Sequence, residues 1–375
     1  MPRRTRAVAV SLAGCDFGNS GVSVFAHALL PRLIDVLRAT GVRVIVLGTR
    51  RERVAAGLEG AAGPTLPASL DRPALSAAFA LTVAAPLSRA LGARLLYLPC
   101  ANRRIVAIAG IPVAGTVHDL AQFYVDDKYG KVRQIYVRRF LVPLLRRLSV
   151  VTTVSRATAD DVVRFAGVSP SRVRVIHNGV TLAPRLGPVA SQAARPYLFY
   201  PARLEHPGKN HLRLIQAFAA SGARATHDLV LSGAEWGAGE RIRETAASLG
   251  VTDRVRMVGF LEREAFQAML EDADVVVAAG LREGFGLPAA EAMACGKVVA
   301  ASNTGSLPEV VGPLAALFDP LDVASIAAAL DRAATDSELR ARCALEGPTR
   351  AALFSWDAAA VATGAALCEV LDAAA

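Results

Sequence analysis

Residues 275–291 read Val275-Val276-Val277-Ala278-Ala279-Gly280-Leu281-Arg282-Glu283-Gly284-Phe285-Gly286-Leu287-Pro288-Ala289-Ala290-Glu291. The unbroken apolar run from Val275 to Ala278 has the length and β-branched content of a strand buried on both faces. A helical pattern follows at once. Pro288 suits the first turn of a helix running to Ala294, and Gly296 stands just past its end. Gly284 and Gly286 let the intervening backbone turn tightly and bring its amides close to a ligand. Free amides and the positive end of a helix together suit a phosphate-like anion. Glu283 lies at the rim of this loop and Glu291 one turn into the helix. Two carboxylates would repel a phosphate, so we read them as acceptors from hydroxyl groups, such as those of a sugar and a ribose. The ordinary alternative is a solvated loop residue and a solvent-facing helix residue.

This strand-to-helix unit is one of many. Apolar runs at residues 7–13, 43–47, 95–98, 113–117 and 150–154 alternate with helical periodicity at 22–38 and 74–91, the βαβ rhythm of a parallel sheet covered on both faces. After a run at 173–176 and Asn178-Gly179, residues 181–196 are rich in Pro, Gly and Ser without apolar period, as a linker is. The rhythm then resumes at 197–202, 229–232, 255–258, 275–278 and 298–301. A chain of 375 residues favours two domains. The expectation is an α/β protein of two doubly wound, Rossmann-like parallel-sheet domains, 1–185 and 186–355, with a final helix at 356–375 packing back on the first. Such sheets bind ligands beyond the carboxyl ends of their strands, so two facing sheets predict a cleft.

Composition narrows the classes. No run approaches the roughly 18 apolar residues of a spanning helix, and the N-terminus lacks a cleavable signal pattern, so the chain reads as cytoplasmic. Five cysteines without C-x-x-C spacing suggest neither zinc nor disulfides, only small core residues. Residues 1–190 hold 26 Lys and Arg against 10 Asp and Glu (+16), whereas residues 191–375 hold 16 against 23 (−7). An excess of this sign points to an anionic partner for the first half: a membrane surface, a lipid-linked phosphate or nucleic acid. Nucleic acid is disfavoured, because no recognition motif accompanies the charge and aromatics for base stacking are sparse. Seven of the cations (Lys128, Lys131, Arg133, Arg138, Arg139, Arg146, Arg147) fall in one acid-free stretch. On a helical projection Val137, Leu141, Leu144 and Leu148 share one face, and Arg139 and Arg146 the other, with a kink expected at Pro143. The basic face is either solvated or a docking surface for an anionic membrane or the phosphate of a lipid-linked acceptor.

Further candidates stand at strand ends. Arg203 follows the run 197–202 and Lys209 comes six residues later, in Arg203-Leu204-Glu205-His206-Pro207-Gly208-Lys209-Asn210, with Lys209 read as opening a helix. A guanidinium and an ammonium on either side of a turn grip one pyrophosphate from two directions; otherwise they are exposed loop cations. The spacing excludes a true P-loop. His118 and Asp119 follow the run 113–117, where a side chain reaches ligands at the carboxyl end, Asp119 orienting His118 or the local turn. In the loop Gly14-Cys15-Asp16-Phe17-Gly18-Asn19-Ser20-Gly21 the spacing is no dinucleotide fingerprint, but Gly18 and Gly21 permit close backbone approach.

The frame from Glu283 to Glu291, continuing into Ala292-Met293-Ala294-Cys295-Gly296, resembles the signature of family 4 retaining glycosyltransferases. Asn303-Thr304-Gly305-Ser306-Leu307-Pro308-Glu309-Val310-Val311-Gly312 resembles that family's next loop and helix. The resemblance implies the GT-B architecture and a metal-independent hexosyltransferase that needs no cofactor beyond its nucleotide-sugar donor. It places Glu283 on the donor sugar, Glu291 on the ribose, Arg203 and Lys209 on the diphosphate, and His118 on the donor sugar or the attack site. Gly284, Phe285, Gly286 and Leu287 complete the donor loop, and Gly18 and Gly21 approach the donor diphosphate or the acceptor. Where many relatives have Pro-Ser shortly before the first glutamate, this chain has Ala279-Gly280-Leu281-Arg282. The His118-Asp119-Leu120 and His206-to-Asn210 segments look like those of mannosyl and rhamnosyl transferases of polysaccharide assembly. A GDP-linked donor, GDP-mannose first, and a glycan or lipid-linked glycan acceptor chosen by loops 48–74 and 122–130 follow as expectations, with a peripheral location on the inner face of the cell membrane. The alternatives are a nucleotide-sugar epimerase or phosphorylase of the same architecture and, from another class, a basic nucleic-acid-binding protein.

Overall fold

The computed structural model describes residues 6–17, 20–125, 131–182 and 195–374, with the backbone alone at 131–133. Two compact units emerge. One runs to Leu120, resumes at Gly130 to Gly179, and takes back the chain from Ser355; the other holds Val180–Phe354 and the short segment that begins at Ala121. The expected boundary at 185 lies outside the described residues.

The first unit contains β1 (Ala7–Ser11), β2 (Arg43–Thr49), β3 (Thr65–Leu66), β4 (Leu95–Leu98), β5 (Val113–Val117), β6 (Val150–Thr153) and β7 (Val173–Val175). They form one sheet in the order β3-β2-β1-β4-β5-β6-β7 with parallel pairings throughout. The second contains β8 (Tyr197–Pro201), β9 (Asp228–Ser232), β10 (Val255–Gly259), β11 (Val275–Ala278), β12 (Val298–Ser302) and β13 (Ala315–Phe318), in the order β10-β9-β8-β11-β12-β13, again parallel. Each sheet is doubly wound, as expected. The order reverses beside β1 in one and beside β8 in the other, and such switch points are where open sheets hold ligands. Helices cover the faces, so the strand interiors are nearly all buried: Val275, Val276, Leu198 and Phe199 are fully inaccessible.

Several elements differ from their sequence expectation. Residues 74–91 form two helices, Pro73–Thr82 and Ala84–Ala90, rather than one. Pro86 has no N–H for the Thr82 carbonyl, so the ladder breaks there. The short strands β3 and β13 were not expected: β3 is two residues long, and the apolar run 314–318 has no β-branched residue and reads equally well as helix. Around Pro143 the helix does not simply kink: Lys131–Tyr136 is followed by a π-helical turn at Val137–Leu141, closed by the Val142 N–H donating to the Val137 carbonyl. That wider turn inserts one residue into the period. Val142 and Leu145 therefore enter the core with Val137, Leu141 and Leu148, while Leu144, expected on that face, is only half-buried.

The last helix, Trp356–Ala373, belongs to the first unit and packs along Gly21–Ala39. Gly364 allows the approach, since a Cβ there would stand 2.8 Å from Val36 Cγ1. Residues 337–373 are apolar enough to cross a membrane by length and composition, but half of the apolar window is buried and the segment is two helices, Ser337–Ala351 and Trp356–Ala373. At its start the last helix leans on Gly179, where a Cβ would fall 2.2 Å from the Trp356 backbone nitrogen. Backbone cannot yield as a side-chain tip does. Gly179→Ala is expected to destabilise the protein by about 2–3 kcal/mol through overpacking, read as a lower urea midpoint. An unchanged midpoint would show that this contact does not fix the returning helix.

Candidate functional site

In the second unit the loops leaving β8 and β11 flank the switch point. Lys209, from the first, donates through Nζ to both carboxylate oxygens of Glu283, from the second, at 2.8 and 3.0 Å. The loops are also joined through backbone, Leu281 N–H donating to the Gly208 carbonyl at 3.0 Å. Arg203 donates through Nη2 to Glu205 at 2.9 Å, and its guanidinium lies 4.4 Å from the centre of the Trp236 ring. Burial raises the Tyr200 phenol well above its ordinary pKa, with Glu283 and Glu205 adding to the shift, so both acids lie near one ring. The Tyr200 hydroxyl donates to the Lys209 carbonyl at 2.5 Å, which fixes the backbone from which the ammonium projects. The adjoining helix begins at His211, not at Lys209 as expected; Asn210 caps it in the left-handed conformation (φ 59°) and donates to the Pro320 carbonyl at 2.7 Å.

The loop after β11 enters the helix Leu287–Ala294 through Gly286, whose φ of 88° and lack of a side chain suit an uncapped helix start, with Pro288 in the first turn. Ser306 holds the loop from the far side, donating through Oγ to the Glu283 carbonyl at 3.0 Å, and Thr304 does the same for Leu281 at 2.8 Å. Phe285, nominated for donor binding, turns its ring inward and packs edge-on against Phe354 at 5.3 Å; its side chain holds the loop down. Glu291 is buried and accepts from Arg263 Nη1 at 2.8 Å. Burial pushes its carboxyl pKa up, against the pull of Arg263. Arg263 is itself anchored by the Thr181 carbonyl.

In the first unit His118 follows β5 and is buried. Its Nε2 lies 2.8 Å from the Pro99 carbonyl, which can only accept, so Nε2 carries a proton and donates it there. Phe25 holds the ring edge-on at 4.6 Å. The turn is bracketed by Asn102, which accepts from the His118 N–H at 3.4 Å and donates to the Asp119 carbonyl at 3.1 Å. Pro99, Phe25 and Asn102 thus hold His118 and its turn, and beside them Asp16, with Asp119 a smaller contributor, raises the pKa of Arg103 against the effect of its burial. Cys100 and Cys15 are buried with their sulfurs 3.4 Å apart. Burial opposes ionisation of Cys100, but hydrogen bonds from Cys15 and His118 outweigh it and lower its pKa. Gly21 begins the helix Gly21–Ala39 behind a Ser20 cap, and Gly18 lies outside the described residues.

Comparison with known proteins gives the family and the fold. The family model for glycosyl transferases group 1 matches residues 188–350, and that for glycosyltransferase family 4 matches residues 20–183. The chain belongs to the family 4 glycosyltransferases. An MMP alpha-(1->4)-mannosyltransferase of Mycolicibacterium hassiacum is 32% identical over 69% of this chain and 65% of that protein, slightly under two thirds of its length. An O-antigen chain mannosyltransferase B of Escherichia coli is 28% identical over 70% of this chain and 69% of that protein. Among solved structures, Anabaena HepE in complex with UDP and glucose superposes with a TM-score of 0.71 over 98% of this chain and all of that one, at 19% identity. The two Rossmann-like sheets are thus the GT-B fold.

Against the family 4 signature, sequence reading found Lys209 and Glu283, which the structure brings together. It missed Glu205, Trp236 and Arg263, the partners of Arg203 and Glu291. Glu205 lay within the segment already quoted; Arg263 carries no signal beyond being one more cation at a helix start. Arg263→Met would leave the Glu291 carboxylate buried without its counter-charge, costing about 2 kcal/mol near neutral pH once partial exposure of the arginine is allowed for. Because burial already raises the Glu291 pKa, protonation on acidification removes that penalty, so the loss should shrink as pH falls through the raised value. Urea unfolding of the variant and wild type at pH 5 and pH 8 checks this; an equal deficit at both values contradicts it.

Proposed function

We propose that this family 4 glycosyltransferase moves a hexosyl group, mannose or a deoxyhexose such as rhamnose, from a nucleotide diphosphate sugar to a glycan or lipid-linked glycan, with retention of configuration. The Lys209–Glu283 pair across the β8/β11 switch point carries the reading, because it puts a phosphate-binding cation and a hydroxyl-binding acid at one place. Arg203 and Lys209 hold the diphosphate. As the bond from the anomeric carbon to the β-phosphate oxygen breaks, negative charge grows on the leaving group, and cations that meet that state more strongly lower the barrier. This is the service a divalent metal gives in other transferases. Amides at the start of the helix Leu287–Ala294 add to it. Glu283 accepts from sugar hydroxyls and Glu291 from the ribose. His118, its Nε2 proton held by the Pro99 carbonyl, is assigned to the sugar or the attack site, as the family resemblance implies. No enzyme nucleophile is required: a departing phosphate oxygen takes the proton of the incoming hydroxyl, whose oxygen bonds the same face of the anomeric carbon.

The mannosyltransferases among the relatives favour GDP-mannose, while UDP in the HepE structure makes UDP the competing base. Thermal-shift titration with GDP, UDP, dTDP and ADP decides, since only a ligand that binds the folded state raises the melting temperature. GDP is expected to give the largest shift, and no response to any of them would refute the donor assignment. Arg203→Ala, Lys209→Ala and Glu283→Ala are each expected to lower transfer at least about 100-fold with the fold retained. A folded Arg203→Ala, Lys209→Ala double variant with normal turnover would overturn their roles. Incubating the donor alone and finding no isomerised sugar separates transfer from epimerisation.

An open groove of about 770 Å³ supports membrane docking: Leu81, Phe140, Pro143 and Leu144 line it, and Arg139, Arg146 and Arg147 rim it. Phe140 is 61% exposed, an apolar ring beside cations, as a surface entering anionic lipid requires. Lys128 and the side chains of Lys131 and Arg133 lie outside the described residues. Vesicles with anionic phospholipid should sediment the protein and neutral ones should not, with Arg139, Arg146 and Arg147 all replaced by Gln abolishing the difference. Equal sedimentation on both vesicles rejects the docking face.

A further inference from the structure

We infer that Trp236 is a positioning residue for Arg203, clamping the guanidinium together with Glu205 so that its plane is set before a diphosphate reaches it; this rests on the reading of Arg203 given above. An arginine fork recognises phosphate oxygens only in the right plane, and a side chain with this many rotatable bonds does not hold a plane unaided. Two contacts restrain it. The Trp236 ring centre lies 4.4 Å from the guanidinium carbon, and the carboxylate of Glu205 accepts from Nη2 at 2.9 Å. Only one guanidinium N–H is spent on Glu205, so the fork keeps donors for a ligand.

Trp236 is 54% exposed, which by itself suggests a loose surface ring, but its loop is stitched to the segment it serves. Gly233 (φ 153°) passes so close to the Arg203 backbone that a Cβ would lie 2.4 Å from the Ala202 carbonyl oxygen and 2.8 Å from the Arg203 nitrogen. Leu204 N–H donates to the Ala234 carbonyl at 2.9 Å, and Trp236 N–H donates back to the Leu204 carbonyl at 3.1 Å. Glu235 then closes the turn, accepting from the N–H groups of Gly237, Ala238 and Gly239 at 2.7 to 3.0 Å. On the other side, Gly208 leaves room for Glu205: a Cβ there would meet Glu205 Oε1 at 2.8 Å. The aromatic ring and the acid are both built into place, from two different loops.

Titration calorimetry with GDP, UDP and inorganic pyrophosphate on the wild type, Trp236→Ala, Trp236→Phe, Arg203→Ala and the Arg203→Ala, Trp236→Ala double variant tests the clamp. Trp236→Ala should weaken pyrophosphate and the bound nucleotide alike, about tenfold, and Trp236→Phe should recover most of the loss. In the Arg203→Ala background, removing Trp236 should change affinity less than about twofold, since the two act as one unit. If Arg203→Ala weakens binding and Trp236→Ala does not, or if Trp236→Ala weakens the nucleotide but not pyrophosphate, the clamp is wrong and the role of Arg203 stands. If Arg203→Ala itself binds all three probes as the wild type does, the diphosphate reading fails and the clamp with it.

Discussion

Strand β8 is hydrogen-bonded to β9 on one side and to β11 on the other, and because all three are parallel the chain leaves each by the same edge. The connection from β8 turns one way and that from β11 the other, so the loops part directly beyond β8. The strands are buried on both faces and admit little but Val, Leu, Ala and aromatic residues, which confines charged chemistry to their ends. Lys209 and Glu283, 74 residues apart, meet for this reason. The same constraint acts on β1 and β4 in the first unit, where Cys15 and Cys100 come together beyond the two strand ends, beside His118.

What the strand ends bring together, small residues then let fit. Gly280 belongs to the Ala279-Gly280-Leu281-Arg282 segment in which the chain departs from the family's Pro-Ser, and a Cβ there would lie 2.3 Å from Glu283 Oε1. The space a side chain would take at Gly280 is filled by the acid that holds Lys209. Gly305, with φ 62°, sits against the same residue from the other side, 2.8 Å from the Glu283 carbonyl oxygen once a Cβ is added. Glu283 is enclosed by two glycines and tied by Ser306, so its geometry belongs to the backbone rather than to a freely chosen rotamer.

Both sheets were legible in the sequence because a run such as Val275 to Ala278 has only one comfortable environment. Lys209 and Glu283 were legible because their spacing to a strand end is local. The partners were not. Nothing near Arg203 in the chain announces that Trp236 covers it, since that contact depends on how the loop after β9 folds back, and Arg263 reaches Glu291 only across two helices. Periodicity misled wherever a local event changed the period. The π turn at Val137–Leu141 shifted Leu144 off the buried face, and Pro86 divided a helix that reads as continuous. Phe285 shows a subtler limit: a motif position says that a residue is needed without saying whether its backbone or its ring does the work, and here the ring packs on Phe354.

The two acids of the signature have different environments, and the difference fits the roles proposed for them, Glu283 on the sugar and Glu291 on the ribose. Glu283 is partly exposed and shares its charge with Lys209, which suits a group that meets a sugar arriving from solvent and departing again. Glu291 is buried, where a hydrogen bond to a ribose hydroxyl is stronger because water does not compete, yet burial also favours the protonated form that accepts more weakly. A carboxylate cannot have the first without some of the second. Arg263 resolves the conflict by standing beside Glu291 with about a third of its own side chain in solvent, so that it lends charge to the buried acid while keeping part of its own hydration. An arginine sunk as deeply as its partner would have carried a second desolvation cost, and one fully exposed would have been screened too well to oppose the upward shift that burial imposes on the acid.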